Sequence, residues 1–268
     1  MPAVRLTTKS VEKPWGRTKL WPGFERFETG APVGEIWYQD EDGTAAELLV
    51  KYLFTSEKLS VQVHPDDAQA QARGYARGKD EAWLILAAEP ESTIALGPRQ
   101  PLSADQLRAA ARDGSIVELL DWRPVAAGDF IYSPAGTIHA IGAGLTVIEI
   151  QQNLDLTYRL YDYGRPRELH LEDGAAVSHL EPFAPPPAPN APDLLAEGPK
   201  FVVERLRAGS TARDFGETEA FLVPVSGGGS VDGRNFAPGE CWRLTGSCTI
   251  EAEDGADLLL AYPGDCRR

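Results

Sequence analysis

The chain holds only four histidines, His64, His139, His170 and His179, and two of them keep company suited to metal chemistry. In LSVQVHPDD, Gln62 and His64 are two residues apart, so on a strand both side chains leave the same face, together with Ser60. In GKDEAWLIL, Lys79 and Glu81 stand in the same relation at the head of an apolar run. In GDFIYSPAGTIHAIG, His139 follows a tight Pro-Ala-Gly turn. An amide oxygen, two imidazole nitrogens and one carboxylate make a sensible four-ligand set for zinc or another divalent transition ion. With a single carboxylate among neutral ligands the ion would stay a good Lewis acid, able to polarise a carbonyl or hydroxyl. Histidines on strands also occur as hydrogen-bonded core residues. What sets His64, Glu81 and His139 apart is that each stands at a strand end beside turn chemistry. His170 and His179 have no ligand partners nearby and read as structural. The absence of a neighbouring cysteine argues against a closed structural zinc site.

These groups must be delivered by β-structure. GEIWY, AELLVKYLF, KLSVQVH, AWLILA, STIAL, DFIYSP and LTVIEIQQ are short apolar runs separated by turn signals, and each reads as a strand. Two helices interrupt them. One is expected over PDDAQAQARGY, ending near Gly74. The other is expected over SADQLRAAARDG, with Ser103 as N-cap, Gln106 completing a capping box and Gly114 as the stop. Neither shows a strong apolar stripe, which places both on the surface. The proline-rich stretch PFAPPPAPNAPDLLAEG, residues 183–199, reads as a linker between a catalytic domain, residues 1–182, and a C-terminal β domain, residues 200–268. In the latter, FVVERLRA, AFLVPVSG, SVDGRNFAPGECWRLT, CTIEAE and ADLLLAY suggest a smaller β-unit. No histidine follows residue 179, so this unit cannot repeat the metal site. Its GGGSVDG segment reads as a hairpin, because no helix start follows to make a phosphate loop.

The 268 residues carry a net charge of −14, which removes any general attraction for nucleic acid or anionic membranes. An anionic substrate would have to be held by a few local cations. Three cysteines, Cys241, Cys248 and Cys266, are too few and unpaired for a disulfide framework and fit a reducing compartment. The start MPAVRLTTKSVEKPWG has no apolar signal core, and no segment approaches membrane-spanning length, so a cytoplasmic protein is expected. The oligomeric state is left open by the sequence.

Gly128, Pro134, Gly136 and His139 together resemble the second cupin signature. More narrowly, VQVHPDD, KDEAW, GTIHAIG and TYRLYDYGR, in that order, are similar to segments of the type I (cupin) phosphomannose isomerases. So are KPWG at 13–16 and GEIWY at 34–38, and the resemblance covers about residues 10–170. It implies a cupin jelly-roll barrel with a second, smaller, degenerate cupin-like unit beside it. It implies one zinc per chain on Gln62, His64, Glu81 and His139, matching the set read from the residues. It also implies an enzyme of carbohydrate metabolism that interconverts mannose 6-phosphate and fructose 6-phosphate through an enediol. Arg159 would lie in the active site near the phosphate or the reacting oxygens, and Ser60, Lys79 and Arg165 would be substrate contacts. The developing oxyanion would be stabilised by the metal, Lys79 or Arg159. Glu149, in VIEIQQ, and Asp155, four residues before Arg159, are candidate bases, and Asp155 also a substrate contact. Trp15 and Gly16 would lie near the sugar or simply pack a turn. Longer members of the family carry a helical domain. Here only the helix near 103–113 stands in its place, as in a compact bacterial form.

Two other readings compete. A non-catalytic sugar-phosphate-binding cupin need not keep Lys79, Glu149 and Arg159 together. Another cupin enzyme, such as an epimerase or a dioxygenase, would sit awkwardly with a glutamine among the ligands and no third histidine.

Overall fold

Alternation of inward and outward side chains builds the molecule from four stacked antiparallel sheets. The computed structural model describes residues 3–41, 43 and 46–264, so Cys266 lies outside the described residues. Two sheets face each other to form the barrel. The first runs, in spatial order, Thr7–Arg17, Val33–Gln39, Leu48–Phe54, Leu145–Gln152, Glu81–Ala88, Phe130–Ser133. The second runs Tyr158–Tyr161, Val61–Val63, His139–Ile141, Thr93–Pro98, Leu120–Pro124. This is an all-β, cupin-type fold with a smaller β-unit and a few short helices.

Strand parity then sorts the side chains. Along Leu48–Phe54 every residue is buried, because both faces are covered. Leu53 turns inward to pack with Trp83, Ile85, Ile94, Leu96, Ile141 and Val147 at one end of the barrel. Val50, Tyr52 and Phe54 turn outward, where with Ile36, Leu84, Ile148 and Ile150 they pack on Phe201, Val203, Phe221, Val223, Leu259 and Ala261 of the C-terminal unit. The two parts of the chain thus share one apolar core. The outer face of the second barrel sheet is covered by helices. Ala104–Asp113 has the expected Ser103–Gln106 capping box and a left-handed Gly114 at its end. It is not merely superficial, since Leu107, Ala110 and Ala111 pack with Val61, Val63 and Leu160. Its stripe is built largely of alanines, whose weak hydrophobicity hides it in the sequence. The other expected helix is short, Asp67–Gln71, with a capping box from Asp66 and Gln69.

The C-terminal unit is a sandwich of the two remaining sheets. One is ordered Ala3–Arg5, Trp242–Leu244, Ala220–Ser226, Asp257–Pro263, Phe201–Leu206, Leu194–Glu197. The other is Gly209–Asp214, Ser247–Ala252, Gly229–Val231, Arg234–Phe236. Two features were invisible in the sequence. The first strand of the chain joins this unit, Ala3 pairing with Leu244. The stretch read as linker ends in a strand, Leu194–Glu197, which pairs with Phe201–Leu206. The expected hairpin turns at Asp232 and Gly233, both with positive φ, as a type I′ turn requires. Among the described residues no helix is long and apolar enough to cross a membrane.

Candidate active site

The barrel is apolar at one end and polar at the other, and the polar end gathers the chemistry. Val61 and Val63 point out into the helix-covered core, so Ser60, Gln62 and His64 point in. Gln62 is flanked in register by His139 on one side and Arg159 on the other. Across the barrel, Glu81 opens the strand Glu81–Ala88 and faces them. A second in-register row, Trp37, Lys51, Glu149 and Trp83, crosses the first sheet.

His64, Glu81 and His139 are 2, 1 and 1 % exposed. Each offers a ligand atom, and these atoms lie within 4.8 Å of one another. His64 Nδ1 is 2.9 Å from the Leu156 carbonyl oxygen and His139 Nδ1 is 3.0 Å from that of Thr137. A carbonyl can only accept, so each ring carries a proton on Nδ1. That leaves the Nε2 atoms to face Glu81 Oε1, at 3.3 Å from His64 and 2.9 Å from His139. Burial, helped by the nearby Lys79 ammonium, lowers the His64 pKa to about 4, which keeps that ring neutral at pH 7. Both Glu81 oxygens are buried and receive no aligned hydrogen bond, although Lys79 Nζ stands 3.1 Å from Oε2. Burial opposes the Glu81 charge, but Lys79 and the two histidines outweigh it and hold the carboxyl well below its usual range. Three acceptor groups converging on one buried point, each imidazole locked by a carbonyl behind it, are the donor set and outer support of a divalent-metal site. Gln62 adjoins them, its Nε2 3.2 Å from His139 Nε2 and its Oε1 accepting from Ser60 Oγ at 3.1 Å. It can offer Oε1 to an ion by turning its amide, and the Ser60 hydroxyl, donor or acceptor, satisfies either orientation.

Gln62 and Lys79, which touch the triad, line a cavity enclosing ≈ 580 Å³ of non-atom space, counting its opening to solvent; the three triad residues lie behind them, outside its lining. Its lining includes five cations, Lys13, Lys51, Lys79, Arg159 and Arg167, against three carboxylates, Glu35, Glu149 and Asp155. In a chain of net charge −14 this is a local excess of positive charge around an anion-sized space. Lys79 is buried, and its Nζ lies 3.2 Å from His64 Nε2. Burial disfavours its charge, but Glu81 and Glu149 prevail and its pKa is raised. Glu149 is buried, accepts from Trp83 Nε1 at 3.0 Å and pairs with Lys51 Nζ at 3.3 Å. The strand register makes Lys51 this partner, Glu149 standing directly opposite it. Asp155 stands exposed at the rim. Arg159 donates from one terminal nitrogen to Glu168 O at 2.8 Å, while its Nε is buried with no partner. Trp15 packs in the apolar end of the barrel and also lines the cavity.

Arg165 is not in the cavity lining. Its guanidinium is taken up by Asp162 at 3.3 Å, Glu57 at 3.7 Å and the Lys58 carbonyl. Arg167, passed over in the sequence, lines the cavity while gripping Asp162 through two bonds of 2.6 and 2.7 Å. His170 stays outside the metal cluster but supports the site, because its Nδ1 accepts from the Arg159 backbone N–H at 3.1 Å and its own N–H donates to Arg159 O at 2.7 Å. His179 packs under the turn before His139, where a Cβ on Gly136 would stand 2.7 Å from its ring.

Comparison with known proteins adds a second line of observation. The chain is 38% identical over 160 residues to a mannose-6-phosphate isomerase of Streptococcus mutans, a match taking in 55% of this chain and 50% of that protein. In sequence the chain is similar to mannose-6-phosphate isomerases over a little more than half its length. No family model matches it. It spans about half the length of the first curated relatives it matches. In fold it is similar to the crystal structure of the mannose 6-phosphate isomerase from Bacillus subtilis, with a TM-score of 0.78, 24% identity and coverage of 97% of this chain and 99% of that one. A zinc-bound mannose 6-phosphate isomerase superimposes with a TM-score of 0.70 at 14% identity, over 98% of this chain and 100% of that one. At these identities the superpositions speak for the fold alone.

Proposed function

We propose that this protein is a zinc-dependent aldose–ketose isomerase that interconverts mannose 6-phosphate and fructose 6-phosphate through an enediol, with one zinc per chain. The observation that carries the reading is the convergence of His64, Glu81 and His139 directly behind Gln62 and Lys79, two residues of a cation-lined cavity in a protein of strongly negative charge. The names of its sequence relatives support the substrate.

His64, Glu81, His139 and Gln62 would hold the zinc, which when bound supplies Lewis acidity to the oxygens on C1 and C2. Arg159, with its buried unpaired Nε, and Arg167 at the cavity wall are suited to the substrate phosphate. Ser60 and Asp155 would orient sugar hydroxyls. Glu149 is the candidate base: buried on the inner face, it can take the proton from C2 of the open-chain aldose and return it to C1. Lys79, buried and charged, would stabilise the negative charge that develops on the enediol oxygens. The barrel would be the catalytic part and the C-terminal unit, which takes in Ala3–Arg5 and Leu194–Glu197, its support.

Metal analysis of the purified protein and a coupled assay with mannose 6-phosphate, before and after chelation, test the reading. About one zinc per chain and chelator-sensitive turnover are expected. Turnover indifferent to chelation, or none from metal-loaded protein, refutes it.

A further inference from the structure

Residues 78–81 deliver both Lys79 and Glu81, and the bonds that fix this segment run away from the cavity towards the C-terminal unit. Gly78 N–H donates to Asp67 Oδ1 at 2.7 Å. Gly78 must be glycine here, since a Cβ would stand 2.4 Å from the Asp66 carbonyl carbon. Lys79 N–H donates to Pro65 O at 3.0 Å. Gln152 brackets the next residue: its side-chain Oε1 accepts from Asp80 N–H at 2.9 Å and its backbone N–H donates to Asp80 O at 3.0 Å. The Gln152 Nε2 then donates to Asp67 Oδ1 at 3.0 Å. Asp80 in turn accepts from Tyr132 Oη at 2.6 Å and from Ala135 N–H at 3.0 Å, which also pins the turn leading to His139.

The network therefore ends on two side chains, Asp67 and Tyr132. One short segment of the C-terminal unit meets both. Lys200 Nζ forms an ion pair with Asp67 Oδ2. Gly198 lies so close to Tyr132 that a Cβ there would stand 2.6 Å from its hydroxyl oxygen. None of these four residues reaches the cavity described above.

We propose that Gly198–Lys200 is a positioning element for Glu81 and Lys79, acting through Asp67 and Tyr132, and that this is how a unit without metal ligands serves the site. The proposal rests on the reading of His64, Glu81 and His139 as metal ligands. Without Lys200, Asp67 keeps only two neutral donors, and the 78–81 segment is free to shift by the fraction of an ångström that matters to a metal ligand.

The test compares Lys200→Met, Lys200→Arg and a control, Arg205→Met, which breaks the Arg205–Asp257 pair elsewhere in the same unit. Zinc affinity, measured by competition with a chelator, should weaken roughly tenfold or more in Lys200→Met, as expected for loss of an outer-shell support. Turnover of mannose 6-phosphate should fall with KM little changed, and Lys200→Arg should recover most of both. Asp67→Asn combined with Lys200→Met should be no worse than either alone, because one contact is lost once. Amide exchange of Lys79 and Glu81, which needs neither zinc nor substrate, should quicken in Lys200→Met and not in Arg205→Met. If wild type turns over no mannose 6-phosphate while Lys200→Met still loosens zinc and these amides, the functional reading fails and the positioning role stands. Unchanged zinc affinity and exchange in Lys200→Met, or equal losses in Arg205→Met, overturn the positioning role.

Discussion

The barrel and the C-terminal sandwich are both pairs of antiparallel sheets, yet their interiors differ in kind. Inside the C-terminal unit, Val202, Leu222, Val231, Phe236, Ile250, Leu258 and Leu260 fill the space with apolar atoms. Asp257 is the one buried charge recorded among the described residues of that unit, and Arg205 grips it at 2.7 and 2.5 Å. The barrel is equally apolar where Ile85, Ile94, Leu145 and Val147 meet but buries Lys51, His64, Lys79, Glu81, His139 and Glu149 at the other end. Burying so many ionisable groups costs free energy unless they are mutually paired. The structure offsets that cost by alternating signs, Lys51 with Glu149 and Lys79 with Glu81. One unit spends its interior on cohesion and the other divides it between cohesion and chemistry. Their shared core lets the first brace the second.

That contrast can be tested by substitution on each side. The largest effect is expected for His139→Ala, which should remove metal and isomerase activity together, read by metal analysis and the coupled assay. Arg159→Ala should keep the metal and lower kcat/KM by about 10²–10³-fold, the usual scale for one lost charge-stabilising donor. Loss of metal from that variant would mean that Arg159 shapes the site instead. Leu222→Ala, in the fully apolar interior, should cost about 2–5 kcal/mol of stability in denaturant unfolding while zinc per folded chain stays constant. The smallest effect concerns Asp67. Burial opposes its charge, but bonds from Lys200, Gly78 and Gln152 prevail and lower its pKa. A carboxyl lowered in the folded state adds stability above its unfolded pKa, and that gain is lost as pH falls through the folded value. Wild type should therefore exceed Asp67→Asn by about 1 kcal/mol or less at pH 7, with the gap closing below about pH 4. A gap that widens on acidification would contradict this account.

Much of the site could be read directly from the chain because period-two alternation needs no partner strand. Ser60, Gln62 and His64 share a face by spacing alone, and so do Lys79 and Glu81. What strand pairing decides was hidden. Lys51 and Trp37 reach the cavity through a register row with Glu149 that no local pattern reveals. Arg165 and Arg167 are two residues apart in one loop, and only the fold decides which one lines the cavity. His170 looked idle because its partner is a backbone N–H, which carries no residue-type signal. The barrel strands were legible for the same reason as the ligands. The strand Leu194–Glu197 was not, because it closes a proline-rich run whose composition argues for extended, unpaired chain.

The docking of Ala3–Arg5 beside Trp242–Leu244 also bears on how the molecule forms. The two strands are about 240 residues apart in sequence, and closing so long a loop is entropically slow. The seam between them should therefore be among the last contacts to form on folding, and pulling on Ala3–Arg5 should fray the C-terminal unit before disturbing the barrel.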